Sequence, residues 1–425
     1  MSLLTQASLV LTPNAYKVNK MYSIIPSSGS GDLAFTRATS ATISSTRTNN
    51  SGVVENVANG VPRLDYSNSL TAPSWLLEPQ RTNLATNSET FTGYGLFGSS
   101  LSSVALTNPS NGANSVLLEE NTDNSAHFIF SPTVINYTVD NYYTNSIFVK
   151  KGNGANAPDI VQLSFSSIAF GSSKYANFNI VTGVITAQVG GTATIISLPN
   201  GWYRITFSAQ CTVTTPNASG VTLFFTNNNA TATRAPIYIG NVNSNVFVWG
   251  GQLEAGSYAT SYIPTTTSTV TRNQDIMSKT NLYTNNFITS AGGTWFVELD
   301  NNFSLIRDAF GYGLFLNTLN TSTGNGFNFR NGSANTRLRI NKTISGVDTE
   351  LYITLTDSFK VAIKWNGATA DVFVNGVKVV TSTAFTTTAM EFLNTQNNDV
   401  PKYIKSMILF PTPLTDAECI SLTTL

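Results

Sequence analysis

The sequence predicts an all-β chain: two β-sandwich domains that follow an extended, loop-rich N-terminal segment. Three observations carry this expectation. Apolar residues come in short runs with alternating or continuous β-type patterns, not at helical spacing. Turn residues such as Thr182-Gly183, Pro199-Asn200-Gly201 and Asn375-Gly376 separate the runs. One stretch alone, near the C-terminus, carries a helix-start pattern.

Residues 1–85 form the first region. Pro13, Pro26, Pro62, Pro73 and Pro79 break any long element. Short apolar runs such as Ser8-Leu9-Val10-Leu11 suit strands, and the region is expected to gain its order by packing on something else.

Residues 86–268 read as the first sandwich or jelly roll. Residues 145–150 make a strand that ends before Gly152. In 160–170, Val161, Leu163 and Phe165 share one face. Residues 174–189 suit a hairpin turning at Thr182-Gly183, with Tyr175, Phe178 and Ile180 assigned to one side. Strands at 202–207, 221–225, 236–240 and 246–249 complete the set.

A Thr-rich connector in 260–275 marks the boundary to a second sandwich, 269–425. Its strands are expected at 295–299, 311–315, 327–329 and 359–365. Asn375-Gly376 between the apolar runs of 372–380 is a strong hairpin signal. Thr415-Asp416-Ala417-Glu418 fits a capping box that opens one or two turns of helix.

With 425 residues the chain has room for two or three domains, and 41% hydrophobic residues supply their cores. Charged residues are only 11%, less than half the usual share of about a quarter, and the formal net charge is zero. Lys150-Lys151 is the longest basic run, so phosphate-backbone binding has no footprint here and nucleic acid is not an expected partner. No apolar stretch approaches the roughly 18 residues of a membrane-spanning helix, so membrane insertion is not expected either. Residues 1–20 lack an export-signal pattern, as expected of a protein assembled in the cytoplasm where it is made. Cys211 and Cys419 fall in different domains and read as buried free thiols.

The residues offer little for catalysis. His127 is the sole histidine, and no Gly-x-Ser-x-Gly elbow is present. Glu298-Leu299-Asp300 is the most tempting carboxylate pair, since alternation puts both acids on one strand face. It resembles the Glu-x-Asp-x-Glu strand of laminarinase-type glycosidases, but the run continues Asn301-Asn302-Phe303 and the second glutamate is missing. Without that general acid, hydrolysis at this pair is rejected. Asn121-Thr122-Asp123-Asn124 is oxygen-rich but matches no calcium loop; a structural calcium stays open and no cofactor is expected. Tyr142 with Tyr143, or Trp75 with Trp202, are candidates for a sugar-stacking platform, and core or interface packing is the favoured reading of each. No residue is assigned a catalytic, cofactor-binding or metal-binding role.

Two long stretches carry a resemblance. The first runs Phe35-Thr36-Arg37-Ala38-Thr39-Ser40-Ala41-Thr42, Gly52-Val53-Val54-Glu55, Val61-Pro62-Arg63-Leu64-Asp65-Tyr66 and Leu76-Leu77-Glu78-Pro79-Gln80-Arg81-Thr82-Asn83-Leu84. The second runs Trp249-Gly250-Gly251-Gln252-Leu253-Glu254-Ala255-Gly256-Ser257-Tyr258-Ala259-Thr260-Ser261-Tyr262-Ile263-Pro264-Thr265. Both resemble bacteriophage tail- and head-fibre proteins, including those of phages infecting Bacteroidetes hosts, the crAss-like phages among them. The bracketed middle region is similar to carbohydrate-binding jelly rolls. The last region resembles a laminin-G or concanavalin-type sandwich, through its Asn375-Gly376 hairpin and its Leu414-Thr415-Asp416-Ala417-Glu418 ending. One departure is 43–51, longer than the family's short turn and read as a loop insertion.

The resemblance implies a non-enzymatic virion protein, a homotrimeric fibre subunit that joins capsid, portal, collar or tail proteins and meets host-surface or mucus glycans. A polysaccharide depolymerase and a ligand-free structural component are the alternatives. The motif residues themselves read structurally. In so charge-poor a chain, Arg37, Arg63 and Arg81 are expected to pair with Glu55, Asp65, Glu78 or Glu254 and fix the N-terminal segment against the sandwich.

Overall fold

The computed structural model describes residues 3–37, 45–131, 135–300, 312–319, 326–331, 337–344, 347–354, 358–385, 389–395 and 402–424. The expected Ala38–Thr42 part of the first motif, Gly311 and the Asn301-Asn302-Phe303 run lie outside them. The chain is all-β, built from antiparallel sheets in sandwich-like domains, as the alternation predicts.

The chain divides into two compact units, and the division differs from the three consecutive regions expected. One unit comprises Ser40–Val57 and Arg81–Arg272; the other comprises Met1–Thr39, Ala58–Gln80 and Asn273–Leu425. The N-terminal region is therefore no segment of its own, because long-range strand pairing absorbs it. Leu9–Leu11 pairs with Lys402–Phe410 in the register Leu9↔Leu409. Ser74–Leu77 pairs with the same long strand, and Arg63–Asp65 with Ser74–Leu77. The boundary falls after Arg272 rather than at 268, since Val270–Arg272 pairs with Arg81–Asn83 of the same unit.

The unit containing the C-terminus faces an eight-stranded sheet with a nine-stranded one. On strand Gly293–Asp300 the alternation sends Trp295 toward the opposing sheet, where its ring meets Phe329 at 5.0 Å; Trp365 likewise meets Phe327 at 5.2 Å. Phe296, on the other face, joins Val10, Phe373, Phe410 and Cys419 in a second apolar layer. The C-terminal helix Asp416–Thr423 supplies Cys419 to that layer. Its capping box is present as expected: Thr415 Oγ1 accepts from the Glu418 amide at 3.2 Å, and the Glu418 carboxylate accepts from the Thr415 amide at 2.8 Å. The Asn375-Gly376 turn has both residues at positive φ, 47° and 81°, which suits the twist of a tight hairpin.

Motif residues from the first stretch meet inside this unit. Arg63 donates to Glu78 at 2.6 Å and to Asp275, and Arg37 donates to Asp275 at 2.8 Å; all four side chains are buried. Asp275 also accepts from the Glu78 amide at 2.8 Å. Burial works against the Arg63 charge, but Asp275 and Glu78 outweigh it and hold its pKa above the ordinary arginine value. Arg37, Arg63 and Glu78 were expected to pair; Asp275, their shared partner, was not singled out. The network lies within the C-terminal unit rather than against the middle sandwich.

The middle unit packs two six-stranded sheets. One runs Ser99–Ala105, Asn114–Glu120, Asn245–Ala255, Tyr142–Lys151, Tyr203–Gln210 and Thr192–Ser197; the other runs Gly95–Phe97, Phe128–Phe130, Thr222–Phe225, Ile160–Ser164, Tyr175–Asn179 and Val184–Val189. Val161, Leu163, Phe165, Phe178, Ile180, Ile147 and Val149 fill the core between them. Tyr175 is not in that core; it lies an odd number of residues from Phe178 and Ile180, so strand alternation turns it the other way. The strand expected to close at Trp249 continues to Ala255. A bulge at Gly250 carries it through, with φ of 63°, and a Cβ there would come within 2.7 Å of the Phe148 ring.

The second motif covers the outer face of the first sheet. Tyr262 packs with Phe148, Trp202, Phe247 and Trp249. Glu254 accepts from Gln252 at 2.8 Å and from the Thr260 amide at 3.0 Å, which curls the chain back over the strand. Asn83 locks the two motifs together: its amide donates to Gly251 and Ile263 carbonyls at 3.2 and 2.9 Å, and its oxygen accepts from Leu253 and Ala85 amides. The expected loop insertion is in part a strand. Ser45–Thr48 pairs with Val54–Val57, the Asn49 side chain closes the turn, and Thr46 anchors to Tyr262. Arg47 and Glu55 face each other across it at 2.5 Å. Arg81 donates to Tyr258 at 3.1 Å with its guanidinium over that ring.

Candidate functional site

The outer face of the middle unit's second sheet is where aromatic surface meets solvent. Alternation on Phe128–Phe130 sends Ile129 into the core and both phenylalanines outward. In the registers Phe97↔Phe128 and Phe128↔Phe224, three rings line up across three strands. Phe97 stacks on Phe128 at 5.4 Å with an interplanar angle of 23°, and Phe128 lies 4.6 Å from Phe224. Phe130 continues the row at 5.8 Å from Phe128. Its ring fills the space over Gly95, where a Cβ would come within 2.1 Å of it, so the glycine is what lets the ring lie flat across the edge strand. Phe97 is 52% exposed, Phe128 and Phe130 are half-buried, and Phe224 is buried.

A polar floor adjoins the row. Gln162 donates to Asn177 at 2.8 Å and to the Thr233 carbonyl at 3.1 Å, and accepts from the Ala235 amide at 2.8 Å. Asn177 donates to the Ala230 and Ala232 carbonyls at 3.2 and 2.8 Å. Together they pin the loop after Thr222–Phe225 onto the sheet. That loop delivers Arg234, whose guanidinium sits 5.7 Å over the Phe224 ring. Arg234 Nε donates to Ser164 Oγ and Nη2 to the Phe165 carbonyl, both at 2.8 Å. Half-buried, it is pushed below the ordinary arginine value by desolvation. Chemically the row offers flat apolar surface for the C–H face of a sugar ring beside a fixed cation.

The sequence-singled residues lie elsewhere. Trp75 and Trp202 are fully buried and in different units; Trp202 Nε1 donates to the Thr107 carbonyl at 2.9 Å. Tyr143 is buried and packs edge-on against Tyr137, while its neighbour Tyr142 is half-buried. None of the four belongs to the open row. His127 is buried, with Nδ1 2.6 Å from the Gly98 carbonyl and Nε2 3.2 Å from that of Tyr238. Glu298 and Asp300 share the strand face that Phe296 occupies; Asp300 pairs with Lys405 at 3.0 Å. Asp123 accepts from Asn121 at 2.6 Å. Among the described residues, no three His, Cys, Asp or Glu side chains converge as metal ligands would. Cys211 and Cys419 are both free and buried.

In the other unit, an open polar cavity of about 550 Å³ is lined by Asn14, Lys20, Tyr22, Ser28 and Asp32 among others. Its charges are paired to each other, Lys20 to Asp32 at 3.3 Å, and the Asp32 carboxylate also accepts from the Ser23 amide at 3.1 Å.

The phenylalanine row had one legible signal, the consecutive apolar Phe128-Ile129-Phe130, in which alternation must turn at least one apolar side chain outward on any sheet with one buried face. Arg234 had none, since it reaches the sheet from a loop.

No family model and no curated protein matches the chain. Solved structures give distant likenesses of carbohydrate-binding and lectin-like β-sandwich domains. The binding domain of botulinum neurotoxin DC, solved with rat synaptotagmin II, is 14% identical with a TM-score of 0.29, over 35% of this chain and 40% of that one. The chain thus spans well under half of that neurotoxin chain. The CBM40 domain of the Ruminococcus gnavus IT-sialidase, bound to α2,3-sialyllactose, is 18% identical with a TM-score of 0.25, over 32% and 83%. Domains LG4-5 of the mouse laminin α1 chain are 8% identical with a TM-score of 0.20, over 69% and 90%.

Proposed function

We propose that the protein is a non-enzymatic structural and adhesive subunit of a bacteriophage head or tail fibre, and that it meets host-surface or mucus glycans through the open face of its middle sandwich. The observation that carries the glycan contact is the solvent-facing row Phe97–Phe128–Phe130, ring surface left uncovered on a sheet whose other face is core. The appendage reading rests on the two long motifs. Their polar residues support a scaffold role, since Arg37, Arg63, Glu78, Asn83, Gln252 and Glu254 are all spent on contacts inside the fold. Assembly as a homotrimer within the virion belongs to the same reading. Two measurements test it. Immunogold labelling of intact particles is expected to mark a head or tail appendage. A glycan array with the full chain is expected to give binding without turnover. Labelling of no virion structure, or release of cleaved saccharide, overturns it.

A further inference from the structure

Arg234 is unlike the buried arginines of the other unit. Arg37 and Arg63 sit on Asp275 and Glu78. Arg234 has no carboxylate within ion-pair distance among the described residues; its fixed partners are a hydroxyl and a carbonyl, both neutral. Those two bonds use Nε and Nη2 and set the plane of the guanidinium over Phe224, which leaves Nη1 uncommitted. A half-buried cation without a counter-charge is costly, and a chain with only 11% charged residues has few counter-charges to lend. The cation also adjoins apolar surface, since Phe224 lies between it and Phe128, 5.7 Å from one and 4.6 Å from the other.

We infer that this face selects an acidic saccharide, whose carboxylate or sulfate pairs with the Arg234 guanidinium while a sugar ring packs on Phe128 and Phe97. The inference rests on the glycan-contact reading above and names its ligand class. A guanidinium held in plane by two bonds is preorganised for a planar carboxylate or a sulfate oxygen. The phenylalanine row contributes contact that does not depend on charge, so the two parts separate experimentally. Unpaired Arg234 makes an acidic ligand a better occupant than a neutral one. The polar cavity beside Lys20 lacks this feature, because its cation is already paired.

The test uses the full chain and three acidic probes, each beside its neutral parent: sialyllactose with lactose, a uronate-containing trisaccharide with its reduced form, and a sulfated disaccharide with its desulfated form. Calorimetry is expected to show each bound acidic probe about 10-fold to 100-fold tighter than its parent. That preference is expected to weaken as salt rises. Arg234→Gln is expected to remove the preference and keep residual binding of both members of a pair. Phe97→Ala, at an exposed ring, is expected to weaken both members alike. The three probe pairs distinguish carboxylate from sulfate. Equal affinity for acidic and neutral probes in the unaltered protein overturns the inference and leaves the glycan-contact reading standing. No binding to any glycan overturns both. An acid preference that survives in a folded Arg234→Gln protein overturns the assignment to this residue. If that variant does not fold, the salt dependence of the unaltered protein decides, and a salt-independent preference overturns the inference. Self-association that Phe97→Ala abolishes gives the face to a second copy and overturns it as well.

Discussion

Replacing Asp275 with alanine tests whether the buried arginine–carboxylate network holds the C-terminal unit together. Asp275 accepts from Arg37, from Arg63 and from the Glu78 amide. Without it, the buried guanidiniums of Arg37 and Arg63 each lose that carboxylate, and the buried Glu78 amide loses its bond to it. Removing one partner of a buried ion pair costs about 3–5 kcal/mol, because the remaining charge stays desolvated. For a domain of 150–250 residues each kcal/mol moves the melting temperature by about 2–4 °C, so a fall of about 6–20 °C is expected. Differential scanning calorimetry on the full chain reads it, with the loss confined to the transition of the C-terminal unit. Lys151→Ala is the control. Its ion pair with Asp159, at 2.5 Å, is largely exposed and is worth about 0–1 kcal/mol. Adding Arg37→Met to Asp275→Ala is expected to recover part of the loss, because Asp275→Ala takes the ion pair from Arg37 while Arg63 keeps Glu78. A loss no larger than that of the control would refute the reasoning, and would mean the network is solvated or replaced in solution.

Asn83→Ala removes four hydrogen bonds at the junction of the two motifs and is expected to cost the middle unit about 2–4 kcal/mol, read as a lower urea midpoint for that unit alone. Thr415→Ala takes away the helix cap and is expected to cost about 1 kcal/mol in the same urea titration, with Thr415→Ser restoring most of it. Asp416 is held below its ordinary value of 3.8 by hydrogen bonds from Lys364 and Lys378, and Glu418 below 4.5 by the Thr415 amide and hydroxyl. Both carboxylates are depressed, so their stabilisation is complete above the ordinary values and is lost as pH falls through the shifted ones. Circular dichroism melts from pH 5 to pH 2 are expected to show a shallower acid loss in Asp416→Asn than in the unaltered protein.

The all-β class, the two sandwiches, the Asn375-Gly376 hairpin and the Thr415 capping box were legible in the residues because each is a local pattern. Strand alternation, a turn that needs positive φ and a cap spaced three residues from its acid are all written within a few positions. The structural reading of Arg37, Arg63 and Glu78 was legible too, since a charge-poor chain that repeats arginine beside carboxylates has few other uses for them. Their acceptor Asp275 was not, because it lies about 200 positions along the chain from both Arg63 and Glu78.

Tertiary structure alone decided the rest. Leu9 pairs with Leu409, and no local signal specifies a partner at that distance, so the residues give 1–85 as one region that packs on something else, while the fold divides it between the two units. Burial withdraws Trp75, Trp202 and Tyr143 from the surface, and the register of three strands assembles Phe97, Phe128 and Phe224 into a row. A single sequence sets which side of a strand each residue takes. Which side faces water, and which loop cation comes to rest on it, depends on what the remainder of the chain covers.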